Sequence, residues 1–183
     1  HPELRDELFE TVKYVRAKLE EMGYEVNEIC QCGLVALAGG KKPGKCILIR
    51  GDMDALPMPE ETGLPFSSEN PGAMHACGHD FHMAMLLGAA KILKEHEDEI
   101  EGTVKICFQP NEETFGGAKA MIDAGVLENP HVDVALAIHV GPVAEVGTLD
   151  YGKGLTMGSA DGFSIHVKGK GCHGAAPNRG ISP

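Results

Sequence analysis

Nine residues, Met74-His75-Ala76-Cys77-Gly78-His79-Asp80-Phe81-His82, hold one thiol, three imidazoles and a carboxylate. A thiolate and a neutral imidazole supply the lone pairs that zinc, cobalt and manganese sites draw on, so Cys77 and His79 are candidate metal ligands. Two donors do not close a site. A structural zinc module takes four ligands, usually with a repeated C-x-x-C pair, and the sequence has no such pair. The other ligands must come from elsewhere in the chain. Taken alone, Cys77 reads more readily as a buried thiol, and the histidines as residues capping or packing at a helix start.

The elements that must position these donors follow from the hydrophobic pattern. Leu4, Leu8, Val12, Val15, Leu19 and Met22 recur at spacings of four and three among charged residues, which predicts an amphipathic helix stopped near Gly23. Tyr24 to Cys30 and Leu34 to Ala38 read as short strands, Gly39 to Gly44 as a turn, and Cys46 to Ile49 as a strand buried on both faces. A loop rich in Pro, Gly and acidic residues runs from Arg50 to Ala73. Phe81 to about Glu95 is apolar almost all round, as in a helix buried beneath other elements, and Asp80 is placed to act near its N-terminus.

Val104 to Phe108 and Val134 to Ile138 are two further apolar strands, with a helix from Gly117 to Ala124 between them that Gly125 ends. Strands alternating with helices imply right-handed crossovers and an α/β fold, a mostly parallel sheet flanked by helices. After Tyr151 the character changes: Asp161 to Lys168 alternates apolar and polar residues, predicting a half-exposed strand. A boundary is expected between Gly152 and Gly158, which makes residues 1–155 the first domain's part and 156–183 the start of a smaller one.

Polar residues fall at the carboxyl ends of the apolar strands. Asp52 and Asp54 follow the first, Glu112 and Glu113 the second, and His139 the third. Ligands of open α/β sheets sit beyond those ends, so these residues and the Cys77/His79 loop can converge on one crevice. Singly, each has a bland alternative: solubilising loop acids, charges at a helix start, a satisfied core histidine. Together, Cys77, His79, a Glu and His139 make the mixed donor set of a catalytic transition-metal centre, with one metal or two. Neighbouring side chains on extended backbone point apart, so one of Glu112 and Glu113 can ligate while the other serves as a base.

Composition excludes some classes of partner. With 16 basic against 27 acidic residues the formal charge is −11, which argues against nucleic acid and anionic membranes. No apolar run approaches the roughly 20 residues of a membrane span, and the first residues resemble neither a signal nor a transit peptide, so a cytoplasmic location is expected. The six cysteines form no framework pattern and are expected to be reduced. The lack of an initiator Met and the unfinished Gly180-Ile181-Ser182-Pro183 suggest a trimmed chain.

Five motifs occur in order: Gly51-Asp52-Met53-Asp54-Ala55-Leu56-Pro57, Met74-His75-Ala76-Cys77-Gly78-His79-Asp80, Phe108-Gln109-Pro110-Asn111-Glu112-Glu113, Ile138-His139, and Gly169-Lys170-Gly171-Cys172-His173-Gly174-Ala175-Ala176-Pro177. Over nearly its whole length the chain resembles the metal-dependent amidohydrolases that include hippurate hydrolase, N-acetyldiaminopimelate deacetylase and the plant auxin-amino-acid conjugate hydrolases. Aminoacylases and two-domain zinc carboxypeptidases are related to them.

The resemblance implies two divalent ions, zinc, manganese, cobalt or nickel, on Cys77, His79, Glu113 and His139. Cys77 would stand where sister branches use a bridging carboxylate. It implies Glu112 as general base, Asp54 as a support behind the ligands, and His173 as the residue of a lid and dimerisation domain that stabilises the oxyanion, often across a homodimer. The substrate implied is a small N-acyl amino acid; a dipeptidase or carboxypeptidase with the same centre is the nearest alternative.

Asn111, Asn178 and Ser182 depart from the residues that relatives carry. Those relatives are also about twice as long and end their metal site with a further His, so an inactive, metal-binding half is a third possibility. A thiol hydrolase built on Cys77 and His79 would leave Glu112, Glu113 and His139 without a task.

Overall fold

The computed structural model describes residues 1–155, 158–159 and 161–183. They divide into two compact units, His1–Pro142 and Val143–Pro183. The division expected after residue 155 falls at Thr156 and Met157, outside the described residues.

The first unit is an open α/β sheet. Strands β1 (Val26–Cys30), β2 (Gly33–Gly39), β3 (Cys46–Asp52), β4 (Thr103–Gln109) and β5 (Val134–Ala137) lie in the order β1-β2-β4-β3-β5. Pairing is parallel for β3 with β4 and for β3 with β5, and antiparallel for β1 with β2 and β2 with β4. β2 is therefore the single strand that runs against the other four, so the sheet is mixed, with a hairpin at one edge.

Helices α1 (Phe9–Glu21), α2 (His79–Glu95) and α3 (Gly117–Asp123) cover its faces. The period-two alternation of the strands sorts their side chains. Leu34, Ala36, Ala38, Ile106 and Phe108 join Val12, Val15 and Leu19 of α1 and Leu86 and Ala90 of α2 in one core. Val35, Leu48 and Cys107 point the other way and pack with Met121 of α3 and with Val126.

Three local features correct the expected elements. The first helix begins at Phe9 rather than near Leu4, because Leu4 forms a bridge to Ala55 and Arg5 has a positive φ of 59° that a helix does not tolerate. The Glu3 carboxylate instead caps it, accepting from Thr11 N at 2.8 Å and Glu10 N at 3.3 Å. The helix ends as expected at Gly23, whose φ of 87° lets Tyr24 N reach back to Leu19 O at 3.0 Å.

The second helix is not buried all round: His79, His82, Leu86 and Ala90 face inward, whereas Phe81, Met85 and Ile92 are exposed. Nor is every apolar strand buried on both faces. Ile47 of β3 is partly open, and β5, an edge strand with one neighbour, exposes all four of its residues.

Within the second unit, residues 161–169 carry no strand among the described residues. Their alternation was sufficient for one face of a sheet, but a strand is made by its hydrogen-bonded neighbour. Among the described residues the unit has only a bridge between Lys170 and Ile181 and a short 3-10 turn, Pro177–Arg179. No helix among the described residues is long and apolar enough to cross a membrane.

Candidate metal centre

The carboxyl ends of β3 and β4, the loop after β5 and the start of α2 bring their polar residues to one place. β3 ends in Asp52 and is followed by Asp54; both are buried. β4 ends at Gln109, and Asn111, with a φ of 52° that Asn accepts more readily than most residues, turns the chain so that Glu112 to Phe115 form a tight turn. The two carboxylate oxygens of Asp54 accept from Glu112 N at 2.9 Å and Glu113 N at 3.1 Å, fixing that turn to the end of β3. Glu112 and Glu113 thus sit in a turn rather than on extended backbone, and their side chains converge: Glu112 Oε2 and Glu113 Oε1 lie 4.0 and 3.7 Å from His79 Nε2.

His79 opens α2 and is fully buried. Both of its ring nitrogens, together with Glu113 Oε1, are buried with no hydrogen-bond partner among the described residues. His79 Nδ1 faces Asp54 Oδ1 at 3.6 Å, whereas Nε2 and Glu113 Oε1 lie 3.7 Å apart. Buried polar atoms are nearly always paired, so these last two, unpaired and side by side, mark a place for a ligand that the protein itself does not supply. On the other side of His79, Cys77 Sγ is 3.4 Å from His139 Nε2. His139 gives its Nδ1–H to Val140 O at 2.7 Å, which leaves Nε2 as the lone-pair donor beside the thiol.

Three sets of donor atoms lie within 4.8 Å of one another: Cys77, His79 and His139; His79, Glu112 and Glu113; and Asp52, His79 and His82. The first two share His79 and offer open lone pairs. In the third, Asp52 Oδ1 is bonded to His82 Nδ1 at 2.6 Å, Asp52 Oδ2 is ion-paired to Arg50 Nη1 at 2.6 Å, and His82 Nε2 accepts from Val140 N at 3.0 Å. Its atoms apart from those of His79 are already engaged. The donors that remain, a thiol, two imidazoles and two carboxylates, suit a divalent transition metal, and their spread around His79 fits two ions as well as one.

The electrostatics are those of acidic groups crowded around a buried thiol and imidazole. Burial pushes the Cys77 thiol up, and Glu113, Glu112 and Asp52 push it further, to about 11. Burial pulls the His79 ring down, but Asp54, Asp52 and Glu113 outweigh it and hold its pKa above the usual histidine value. Burial also pushes the Asp54 carboxyl up, and the His79 ring with the two backbone N–H groups overcomes it, so Asp54 lies below the usual carboxylate value. A divalent ion among these groups would reverse the thiol's position, since a coordinating thiol is deprotonated outright.

Of the residues singled out from the sequence, Cys77, His79, Glu112, Glu113, His139 and Asp54 come together. His173 lies in the second unit, exposed in a turn in which its Nδ1 accepts from Ala175 N at 3.2 Å. His82 and Arg50, which bond to Asp52, were not among the residues singled out. The spacing of His79 and His82, three apart at the start of one helix, was the signal for the first.

The description of peptidase family M20/M25/M40 matches residues 48–178. The chain is 41% identical over 184 residues to an N-acetyl-L-cysteine deacetylase of Bacillus subtilis, covering 100% of this chain and 44% of that protein. It is 44% identical to thermostable carboxypeptidase 1 of Saccharolobus solfataricus, covering 100% of this chain and 47% of that one. A solved Bacillus subtilis structure described as a dinuclear metal-binding peptidase superposes with a TM-score of 0.74 at 43% identity, over 78% of this chain and 40% of its own. The chain thus spans under half the length of the proteins it matches.

Proposed function

The chain belongs to peptidase family M20/M25/M40, and from that premise we propose that the protein hydrolyses the amide bond of N-acyl amino acids at a centre of two divalent metal ions. The observation that carries this is the set of buried, unpaired donors of His79 and Glu113, with Cys77 and His139 beside them. Cys77, His79, Glu113 and His139 hold the ions, and zinc, manganese, cobalt and nickel all suit a thiolate, imidazole and carboxylate set. When bound, the metal supplies a Lewis acid that polarises the amide carbonyl and makes water nucleophilic near neutral pH.

The rest falls to the chain's own side chains. Glu112, anchored through its N–H to Asp54 but with a carboxylate about a third exposed, takes a proton from the attacking water on Oε2 and returns it to the leaving nitrogen. Asp54 holds both glutamates in register and keeps His79 oriented from 3.6 Å. His173 donates to the oxyanion from a lid and dimerisation domain that begins with residues 156–183, residues 1–155 being part of the catalytic domain. The active form is a homodimer or a larger homo-oligomer. A cytoplasmic location suits six free thiols.

Carboxypeptidase or dipeptidase action at the same centre is the nearest second possibility, as the name of the Saccharolobus solfataricus relative suggests. A further possibility is that residues 1–183 taken alone bind metal without turnover. The test is metal analysis of the protein and of its Cys77→Ala and His139→Ala variants, followed by release of free amino acid from N-acetyl amino acids with and without chelator. Chelator-sensitive hydrolysis with metal lost in both variants is expected. Metal content unchanged in both variants overturns the ligand set, and hydrolysis indifferent to chelator overturns the metal mechanism. Metal bound at full occupancy with no turnover places this chain with the non-catalytic possibility.

A further inference from the structure

His139 stands two residues beyond Ala137, the last residue of β5 to be paired, and β5 is an edge strand held on one side only. Sheet pairing therefore does not fix His139, and something else must. The chain Gln109–Arg50–Asp52–His82–Val140 does so. Gln109 Oε1 accepts from Arg50 Nε at 2.8 Å, Arg50 Nη1 meets Asp52 Oδ2 at 2.6 Å, and Asp52 Oδ1 meets His82 Nδ1 at 2.6 Å.

His82 is 3% exposed, and its roles follow from its neighbours. Nε2 faces a backbone N–H, that of Val140 at 3.0 Å, so it is the acceptor; Nδ1 then carries the proton and donates to Asp52. Val140 in turn receives the Nδ1–H of His139 on its carbonyl. The His82 and His139 rings meet edge to face at 4.5 Å between centroids. The Val140 side chain is seated over the start of α2, where a Cβ on Gly78 would fall 2.4 Å from Val140 Cγ2.

We propose that His82 is a positioning residue: by accepting the Val140 N–H it fixes the loop after β5, and with it the direction of the His139 Nε2 lone pair. Asp52 and Arg50 serve by locking the His82 tautomer. This rests on the reading of His139 as a metal ligand, and it makes His82 a residue that does not itself touch metal. A ligating histidine commonly passes its second N–H to a carbonyl, and loss of such a partner costs roughly 10–100-fold in metal affinity. Here the carbonyl belongs to a residue that is itself held by a second histidine.

Two near-isosteric variants separate the two halves of His82. His82→Gln places an acceptor where Nε2 lies, facing Val140, whereas His82→Asn places a donor where Nδ1 lies, facing Asp52, and leaves Val140 N–H unpaired. Amide hydrogen exchange at Val140 is read on the metal-free protein, zinc affinity is read by chelator competition, and the urea midpoint monitors the fold. Expected are Val140 protection and zinc affinity close to wild type in His82→Gln. In His82→Asn, protection is lost and affinity falls about 10–100-fold.

Equal losses of zinc affinity in the two variants, or wild-type Val140 protection in His82→Asn, overturn the proposal. Loss of one bound zinc in His82→Gln with Val140 still protected also overturns it, because His82 would then be a ligand. His139→Ala is measured alongside: wild-type zinc affinity in that variant refutes the ligand reading of His139, whereas the exchange measurement on Val140 needs no metal and fails or succeeds by itself.

Discussion

Replacing Asp54 by Asn removes one charge and one acceptor from the point where three elements meet. In the wild type both carboxylate oxygens accept backbone N–H groups, from Glu112 at 2.9 Å and Glu113 at 3.1 Å, and the side chain is buried. Hydrogen bonds to a charged partner contribute about 1.5–3 kcal/mol each, and a neutral one about 1 kcal/mol. Asn keeps one bond in its weaker, neutral form and turns an NH2 group toward the other N–H, leaving that donor buried and unmatched at a cost of about 1–3 kcal/mol. The bond that weakens loses about 0.5–2 kcal/mol and the unmatched donor costs about 1–3, a loss of roughly 1.5–5 kcal/mol in all.

Relief from burying a charge does not offset this. The folded environment favours the ionised form, since the pKa of Asp54 lies below its ordinary value of 3.8. A carboxyl with a depressed folded pKa contributes its stability above the unfolded value, and that contribution is lost as pH falls through the folded value. Urea unfolding of wild type and Asp54→Asn in the presence of chelator, at pH 7 and again below pH 3.8, measures both effects. A difference of about 3 kcal/mol at pH 7 that shrinks at the acid pH is expected. A difference below about 1 kcal/mol, or one unchanged by pH, refutes the role given to Asp54.

Further outcomes follow from other parts of the structure. Lys105, 2% exposed, donates from Nζ to Val126 O, Glu128 O and Pro130 O at 2.8, 2.8 and 2.9 Å, tying the segment that leads into β5. Lys105→Met should cost about 2–4 kcal/mol in urea unfolding, and a cost under 1 kcal/mol would contradict this. Gly78→Ala meets a φ of 85° and a Val140 methyl carbon at 2.4 Å. It should lose about 2–3 kcal/mol and bind zinc more weakly; unchanged melting and affinity would show that the loop is free to move.

Metal binding should release protons, because the metal-free Cys77 thiol is pushed up to about 11 and His79 above its ordinary 6.5. At pH 6 both groups hold protons that a metal must displace, so affinity rises with pH by about two logarithmic units per pH unit there, and less steeply once His79 has lost its proton. Calorimetry in buffers of different ionisation enthalpy reads this directly, and binding without proton release at pH 6 would contradict the ligand set.

Much of the site was legible in the sequence because its donors lie at strand ends and in one dense loop. The apolar runs ending before Asp52, Glu112 and His139 gave the strands, and the topology of an open α/β sheet gave the convergence. What stayed hidden depended on contacts between distant residues. Nothing local in Asn111-Glu112-Glu113 shows that Asp54 draws the two N–H groups into a turn, so the glutamates read as extended and divergent. His82 looked like one more polar residue of a helix, since its partners Asp52 and Val140 are 30 and 58 residues away. The alternation of Phe163, Ile165 and Val167 is not paired into a strand among the described residues, and Val134 and Leu136 looked buried because hydropathy does not report which strand ends at the edge.

The proposed chemistry separates holding the metal from moving the proton, and one variant separates them in turn. Glu112→Gln keeps the shape of the side chain and the backbone N–H bond to Asp54 and removes only the base. Metal content and N-acyl amino acid turnover should be measured on the same preparations of wild type and variant. Metal retained at the wild-type level with turnover lowered by about 100- to 10,000-fold is the expected result. Turnover within a few-fold of wild type, with metal still bound, would contradict Glu112 as the base and with it the mechanism built on this centre.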